Sequence, residues 1–134
     1  MKKIIILLAL CMLSGFLSHG QCVIYACDNT GAFGAGYNDD GKPTSMQECV
    51  DVALKLCKEK GGTNCTVLYK DNKAGWCAIV NGQKADGRNF FQGGDGYSSK
   101  NEAENTVRNK YRQDGGVNAD NIKVYSWYVY SNLK

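Results

Sequence analysis

Two stretches of equal length decide the fold: SMQECVDVALKLCKEKGG at residues 45–62 and SKNEAENTVRNKYRQDGG at residues 99–116. Each begins with Ser-x-x-Glu, a capping box in which the serine hydroxyl accepts from a free amide and the glutamate reaches back to the cap. Each ends with Gly-Gly, which supplies the left-handed residue that stops a helix. Both stretches therefore predict a helix, and their offset of 54 residues predicts a repeat.

Apolar residues at helical spacing give each predicted helix one buried face. In the first helix they are Met46, Cys49, Val50, Ala53, Leu54 and Cys57, and in the second they are Ala103, Val107 and Tyr111. Cys49 and Cys57 lie about 12 Å apart along the helix axis, too far to bond to each other. Each of these cysteines must therefore reach a strand or loop beneath the helix.

Strand patterns flank both helices. Two strand-like segments precede each helix and one follows it; in the first half these are residues 22–27, 32–37 and 65–69, and in the second half 76–80, 88–91 and 122–130. The sequence offers two positions for the hairpin turn of the second half, Asn81-Gly82 and Asp86-Gly87, since both are good turn signals. We expect an α+β fold, a tandem ββαβ repeat with two helices on a mainly antiparallel sheet. The halves, about 21–73 and 74–134, form one domain.

Residues 1–20 read as an export signal. Lys2 and Lys3 precede an apolar run, and small residues at positions 18 and 20 suit a cleavage site, which gives a mature chain from Gln21. We expect a secreted or periplasmic protein without a membrane span in the mature chain. A lipoprotein anchor at Cys22 is the alternative.

Removal of that signal changes the charge of the chain and excludes several kinds of active site. It lowers the formal net charge from +3 to +1 and removes His19, the only histidine. A histidine base, a triad of the usual kind and a histidine-containing metal site are then excluded. Near-zero charge argues against a nucleic-acid partner, which usually requires a basic face.

Six cysteines follow the predicted signal, and in an oxidising compartment they predict three disulfides. Their spacing lacks the short paired intervals of a four-cysteine zinc site, so we expect neither a metal nor another cofactor. An up-and-down hairpin beside the helix would gather Cys27, Cys57 and Cys65 at one end and the remaining three at the other. Cys57–Cys65 is the favoured pair, and the other two pairings stay open. The six are Cys22, Cys27, Cys49, Cys57, Cys65 and Cys77.

Part of the chain resembles a known family. The residues are Gly31-Ala-Phe-Gly-Ala-Gly-Tyr37, then Ser45, Ala53 and Cys57, then Gly61, Asn64-Cys65 and Gly75-Trp-Cys-Ala78. The pattern is similar to a family of secreted bacterial domains of unknown function, with a Gly/aromatic hairpin, an Ala-rich helix and a Cys…Cys…Cys-Ala run. The resemblance covers residues 31–80 and implies the fold, export and a role in meeting other cells. Here Cys49 is additional, and the second half has no cysteine beyond Cys77.

Aromatic residues form the candidate binding site. In the last predicted strand Tyr125, Trp127 and Val129 share one face, while apolar residues also occupy the other. Such a strand is either buried on both faces or covered by a partner, and Tyr and Trp are common interface anchors. Packing between the halves is the competing explanation. The candidate binding residues are Trp127, Tyr125, Trp76, Phe90 and Phe91.

The predicted function is recognition or inhibition of another protein, without catalytic activity. One alternative is a secreted effector or toxin that acts on another cell. A second is a histidine-free hydrolase that uses two carboxylates. Its candidates Asp28, Asp71, Asp86 and Asp95 lie in predicted turns, where Asp is favoured for local hydrogen bonds, and nothing marks two of them as a facing pair.

Overall fold

The computed structural model describes residues 20–132, so the predicted export signal lies outside the described residues except for Gly20. The protein is α+β, as predicted, with six strands and two helices in the described range. No helix within that range is both long enough and apolar enough to cross a membrane. The elements in chain order are β1 (Cys22–Ala26), β2 (Phe33–Tyr37), α1 (Met46–Glu59), β3 (Thr66–Asp71), β4 (Gly75–Gln83), β5 (Asn89–Tyr97), α2 (Lys100–Gln113) and β6 (Val124–Val129).

The strands form two three-stranded antiparallel sheets. The same order occurs twice, because β1 lies between β2 and β3 while β4 lies between β5 and β6. The inner faces of the two sheets pack on each other in one apolar cluster. Helix α1 covers the outer face of the first sheet and α2 that of the second. The result is a four-layer α/β/β/α arrangement in which the halves share a core.

Both helices start and stop at the predicted signals. The hydroxyl of Ser45 accepts from the amide of Glu48 at 3.1 Å, and Ser99 does the same for Glu102 at 3.1 Å. Gly61 and Gly115 take the left-handed conformation, with φ of 93° and 97°. The amide that follows each of them donates back to a carbonyl of the last turn, at 3.0 Å and 2.8 Å. The local chemistry of capping therefore fixes both helix lengths.

The two central strands are buried on both faces. In β1, Cys22, Ile24 and Ala26 point between the sheets, while Val23 points to α1. In β4, Cys77 and Ile79 point between the sheets, whereas Ala78 and Val80 contact α2. This alternation places one residue set in the common core and the other under a helix, as the period of two in a strand requires.

The hairpin of the second half turns at Asp86-Gly87. Gly87 has φ of 87°, and its amide donates to the carbonyl of Lys84 at 2.9 Å. Gly82 lies inside β4, directly beneath the ring of Tyr111, where a side chain would collide with the phenol. The glycine at position 82 is thus explained by helix packing and not by a turn.

One of the three expected disulfides is present. Cys57 and Cys65 form the favoured pair, with a Cα–Cα distance of 6.4 Å, and tie the end of α1 to the segment before β3. Cys27 lies in the same cluster as these two, as expected. Cys22, Cys27, Cys49 and Cys77 are buried and unpaired. The other two expected bridges are therefore not formed in this structure.

Candidate aromatic groove

The first wall of the site is β6, an edge strand of the second sheet. Trp127 and Val129 point toward the first sheet, as the predicted alternation requires. Val124, on the opposite face, packs under α2. Tyr125 shares the inner face but stays 39% exposed. Packing between the halves therefore accounts for part of this face and leaves Tyr125 open to solvent.

The second wall is β2, an edge strand of the first sheet whose sequence alternates aromatic or alanine residues with glycine. Gly34 and Gly36 face α1 so closely that a methyl group at either position would collide with helix backbone. Phe33, Ala35 and Tyr37 consequently face the second sheet. The glycines let the helix approach, and the aromatic residues between them build the groove.

Ring contacts join the two walls. Tyr37 stacks on Trp127 with centroids 5.3 Å apart and an interplanar angle of 27°. Phe33 meets Tyr125 edge to face at 5.4 Å. The groove between the strands has a volume of about 620 Å³. Its lining residues come from both halves: Thr30, Gly31, Ala32, Phe33, Ala35, Tyr37, Leu56, Lys60, Tyr125, Ser126 and Trp127.

The two ends of the groove differ. At one end the walls converge, because the amide of Tyr130 donates to the carbonyl of Asn38 at 2.8 Å. At the other end two exposed ammonium groups lie over the rings: Lys60 is 4.7 Å from the centroid of Phe33, and Lys123 is 4.5 Å from that of Tyr125. Cation–π contacts of this kind hold positive charge against an aromatic face. The groove is therefore closed at one end and cationic at its open end.

Two polar groups inside the groove have unusual surroundings. Burial is the main cause that raises the pKa of Tyr37, so its hydroxyl stays protonated at neutral pH. The indole N–H of Trp127 is buried and has no hydrogen-bond partner among the described residues. An unpaired buried donor of this kind costs about 1–3 kcal/mol.

The other three predicted binding residues do not line the groove, although the ring of Phe91 meets that of Phe33 edge to face at 6.3 Å. Phe91 is 6% exposed and belongs to the core between the sheets. Phe90 stacks on Tyr111 at 5.6 Å, on the face covered by α2. Trp76 also packs on that face, with its ring edge-on to Tyr128 at 5.7 Å. Of the five candidates, the structure therefore brings only Tyr125 and Trp127 together.

Two of the carboxylates considered as catalytic candidates interact. Tyr69 donates its hydroxyl to Asp71 at 3.1 Å, and Asp71 lies beside Asp95 at the adjoining ends of β3 and β5. Partial burial, followed by the charge and hydrogen bond of Asp71, raises the pKa of Asp95 despite the opposing effects of Tyr69 and Lys73. The charge of Asp71 therefore acts on Asp95, and the sequence could not reveal this proximity because β3 and β5 belong to different sheets.

Sequence reasoning also missed Phe33 and Tyr37, which supply half of the groove. The available signal was the alternation of Phe33, Ala35 and Tyr37 with two glycines, which places all three on one face of a strand. It did not reveal which strand of the second half that face would meet. No protein-family model, curated protein or solved structure matches this chain.

Proposed function

We propose that this chain is an exported recognition module that binds or inhibits another protein through the groove between β2 and β6. The observation that carries the proposal is an open groove lined by four aromatic side chains from both halves, with Tyr125 39% exposed within it. Tyr and Trp are enriched at binding hot spots because they contribute large rigid contact areas. The resemblance of residues 31–80 to secreted domains supports export.

An extended polypeptide segment suits the groove better than a small molecule does. Both walls are edge strands, since β2 pairs only with β1 and β6 only with β4 among the described residues. Edge strands carry backbone N–H and C=O groups that can pair with an added strand.

The positive charge at the open end of the groove indicates which residues the bound polypeptide segment carries. Lys60 and Lys123 lie at the open end of the groove, above Phe33 and Tyr125. A partner with acidic residues at that end would gain attraction and faster encounter, and the effect should weaken as salt rises. We therefore propose an acidic extended segment of a protein as the ligand.

The test uses a displayed library of random peptides selected on the oxidised protein. Tyr125→Ser removes the exposed groove ring, and Tyr128→Ser is the matched control, because Tyr128 lies on the opposite face of the same strand and is 42% exposed. Peptides retained by wild type and Tyr128→Ser but lost by Tyr125→Ser, with an acidic consensus, are the expected result. Selection of no Tyr125-dependent peptide would overturn the proposal.

The interaction of Asp71 with Asp95 supports the second candidate, a histidine-free hydrolase. Burial and the charge of Asp71 raise the pKa of Asp95, and glycoside hydrolysis uses a carboxyl group with a raised pKa together with a second carboxylate. Hydrolysis of bacterial or host glycans that disappears in Asp95→Asn and Asp71→Asn, and survives in Tyr125→Ser, would favour this candidate over recognition.

A further inference from the structure

Cys22 and Cys77 meet in the core between the two sheets. Their Sγ atoms are 3.6 Å apart, and both residues are fully buried. Cys22 is on the central strand of the first sheet and Cys77 on that of the second. We propose that these two cysteines form a disulfide that joins the halves covalently, while Cys27 and Cys49 remain thiols.

The distance between the two sulfur atoms is short enough for a disulfide to form after a small movement. A disulfide has an S–S length of about 2.05 Å, so the sulfur atoms need to close by roughly 1.5 Å. Both side chains already point between the sheets, within the same apolar cluster as Ile24 and Ile79. Small side-chain rotations can therefore form the bond without exchanging the faces of β1 or β4.

Cys49 is a poor partner for either sulfur. It packs with Val23 and Ala53 under α1, on the face of β1 opposite to Cys22. A bond from Cys49 to Cys22 would have to pass from one side of the sheet to the other.

Cys27 cannot pair with Cys49 in this fold. Cys27 lies beside Cys57 near the end of α1, whereas Cys49 lies in its first half. The separation along the helix from residue 49 to residue 57 is about 12 Å, well beyond the reach of a disulfide. With Cys57 bonded to Cys65, Cys27 is left without a cysteine partner.

The oxidant we propose is a small-molecule or protein disulfide, represented in the test tube by oxidised glutathione. One cysteine thiolate attacks the oxidant and releases a thiolate, and the second cysteine then displaces the other half of the oxidant. Two thiols lose two protons and two electrons, and the oxidant becomes two thiols. Cys22 and Cys77 are both fully buried, so the oxidant cannot reach either sulfur in the folded protein. Bond formation therefore belongs to folding, before the sheets close.

The experiment is a disulfide map of the full chain, exported to an oxidising compartment and purified without reductant. Free thiols are alkylated under denaturing conditions before proteolysis. Cleavage after Tyr25 separates Cys22 from Cys27. The expected products are a Cys22–Cys77 linked peptide, a Cys57–Cys65 linked peptide, and alkylated Cys27 and Cys49. Alkylation of Cys22 and Cys77, a Cys22–Cys49 link or a third bridge would overturn the proposal.

Variants provide a second measurement that does not depend on the peptide map. Reductant should lower the denaturation midpoint of wild type and of the control Cys49→Ala to a similar extent. In Cys22→Ala with Cys77→Ala the shift should be smaller, since only Cys57–Cys65 remains to be reduced. Equal shifts in all three proteins contradict the proposed bond. If the double variant does not fold, a Cys22–Cys77 linked peptide in Cys49→Ala is expected, and its absence rejects the bond.

Discussion

Tyr111→Phe removes a single oxygen atom that ties α2 to the second sheet. The side chain of Tyr111 is fully buried. Its hydroxyl donates to the carbonyl of Val117 at 2.7 Å and accepts from the amide of Gln83 at 3.1 Å. Phenylalanine keeps the ring and its stacking on Phe90, so the variant isolates the hydrogen bonds from the packing.

The expected loss follows from these two contacts. Each hydrogen bond contributes about 1 kcal/mol net, and partners left unpaired in a buried site raise the total, so unfolding should become easier by about 1–3 kcal/mol. Urea unfolding followed by tryptophan fluorescence measures this change as a lower midpoint at constant slope. Tyr128→Phe is the control, because the side chain of Tyr128 is 42% exposed and its hydroxyl is open to water. A Tyr111→Phe midpoint equal to that of the control would refute the reasoning.

Three further changes probe the rest of the framework. Gly36→Ala places a methyl group against the carbonyl of Cys49 in α1, so overpacking should lower the free energy of unfolding by about 1–3 kcal/mol in the same urea assay. Ser99→Ala removes the cap of α2 and should cost about 1 kcal/mol, seen as a lower thermal midpoint. The pKa of Asp95 is raised in the folded protein, so folding becomes less favourable as pH rises above the unfolded pKa of about 3.9. Asp95→Asn should therefore raise the urea midpoint at pH 7 more than at pH 3. An equal effect at both pH values would contradict the assignment of this effect to the raised pKa of Asp95.

Local signals predicted most of the secondary structure. Ser45 and Ser99 cap their helices as expected, and Gly61 and Gly115 end them, because capping depends on residues within one turn. The element order is ββαβ followed by ββαβ. Strand ends were less accurate: β5 extends to Tyr97, whereas the sequence indicated an end at residue 91, since its glycines masked the strand pattern.

Long-range pairing could not be predicted. Equivalent positions in the two helices tie each helix to the segment that follows it, but by different chemistry. Cys57 forms a disulfide with Cys65, whereas the hydroxyl of Tyr111 donates to the carbonyl of Val117. The sequence placed Tyr125 and Trp127 on one face, which the structure confirms, but their partners on β2 are some ninety residues away in the chain. A periodic pattern indicates which side chains share a face and does not indicate what that face meets.

Binding to the groove is the central claim, and isothermal titration of a selected acidic peptide with three proteins tests it most directly. Wild type and Tyr128→Ser should bind with affinities within twofold of each other. Tyr125→Ser should bind at least about tenfold more weakly, which corresponds to roughly 1.4 kcal/mol and is typical of an interface anchor. Equal weakening in both tyrosine variants, or an unchanged affinity in Tyr125→Ser, would contradict the claim that the groove is the binding site.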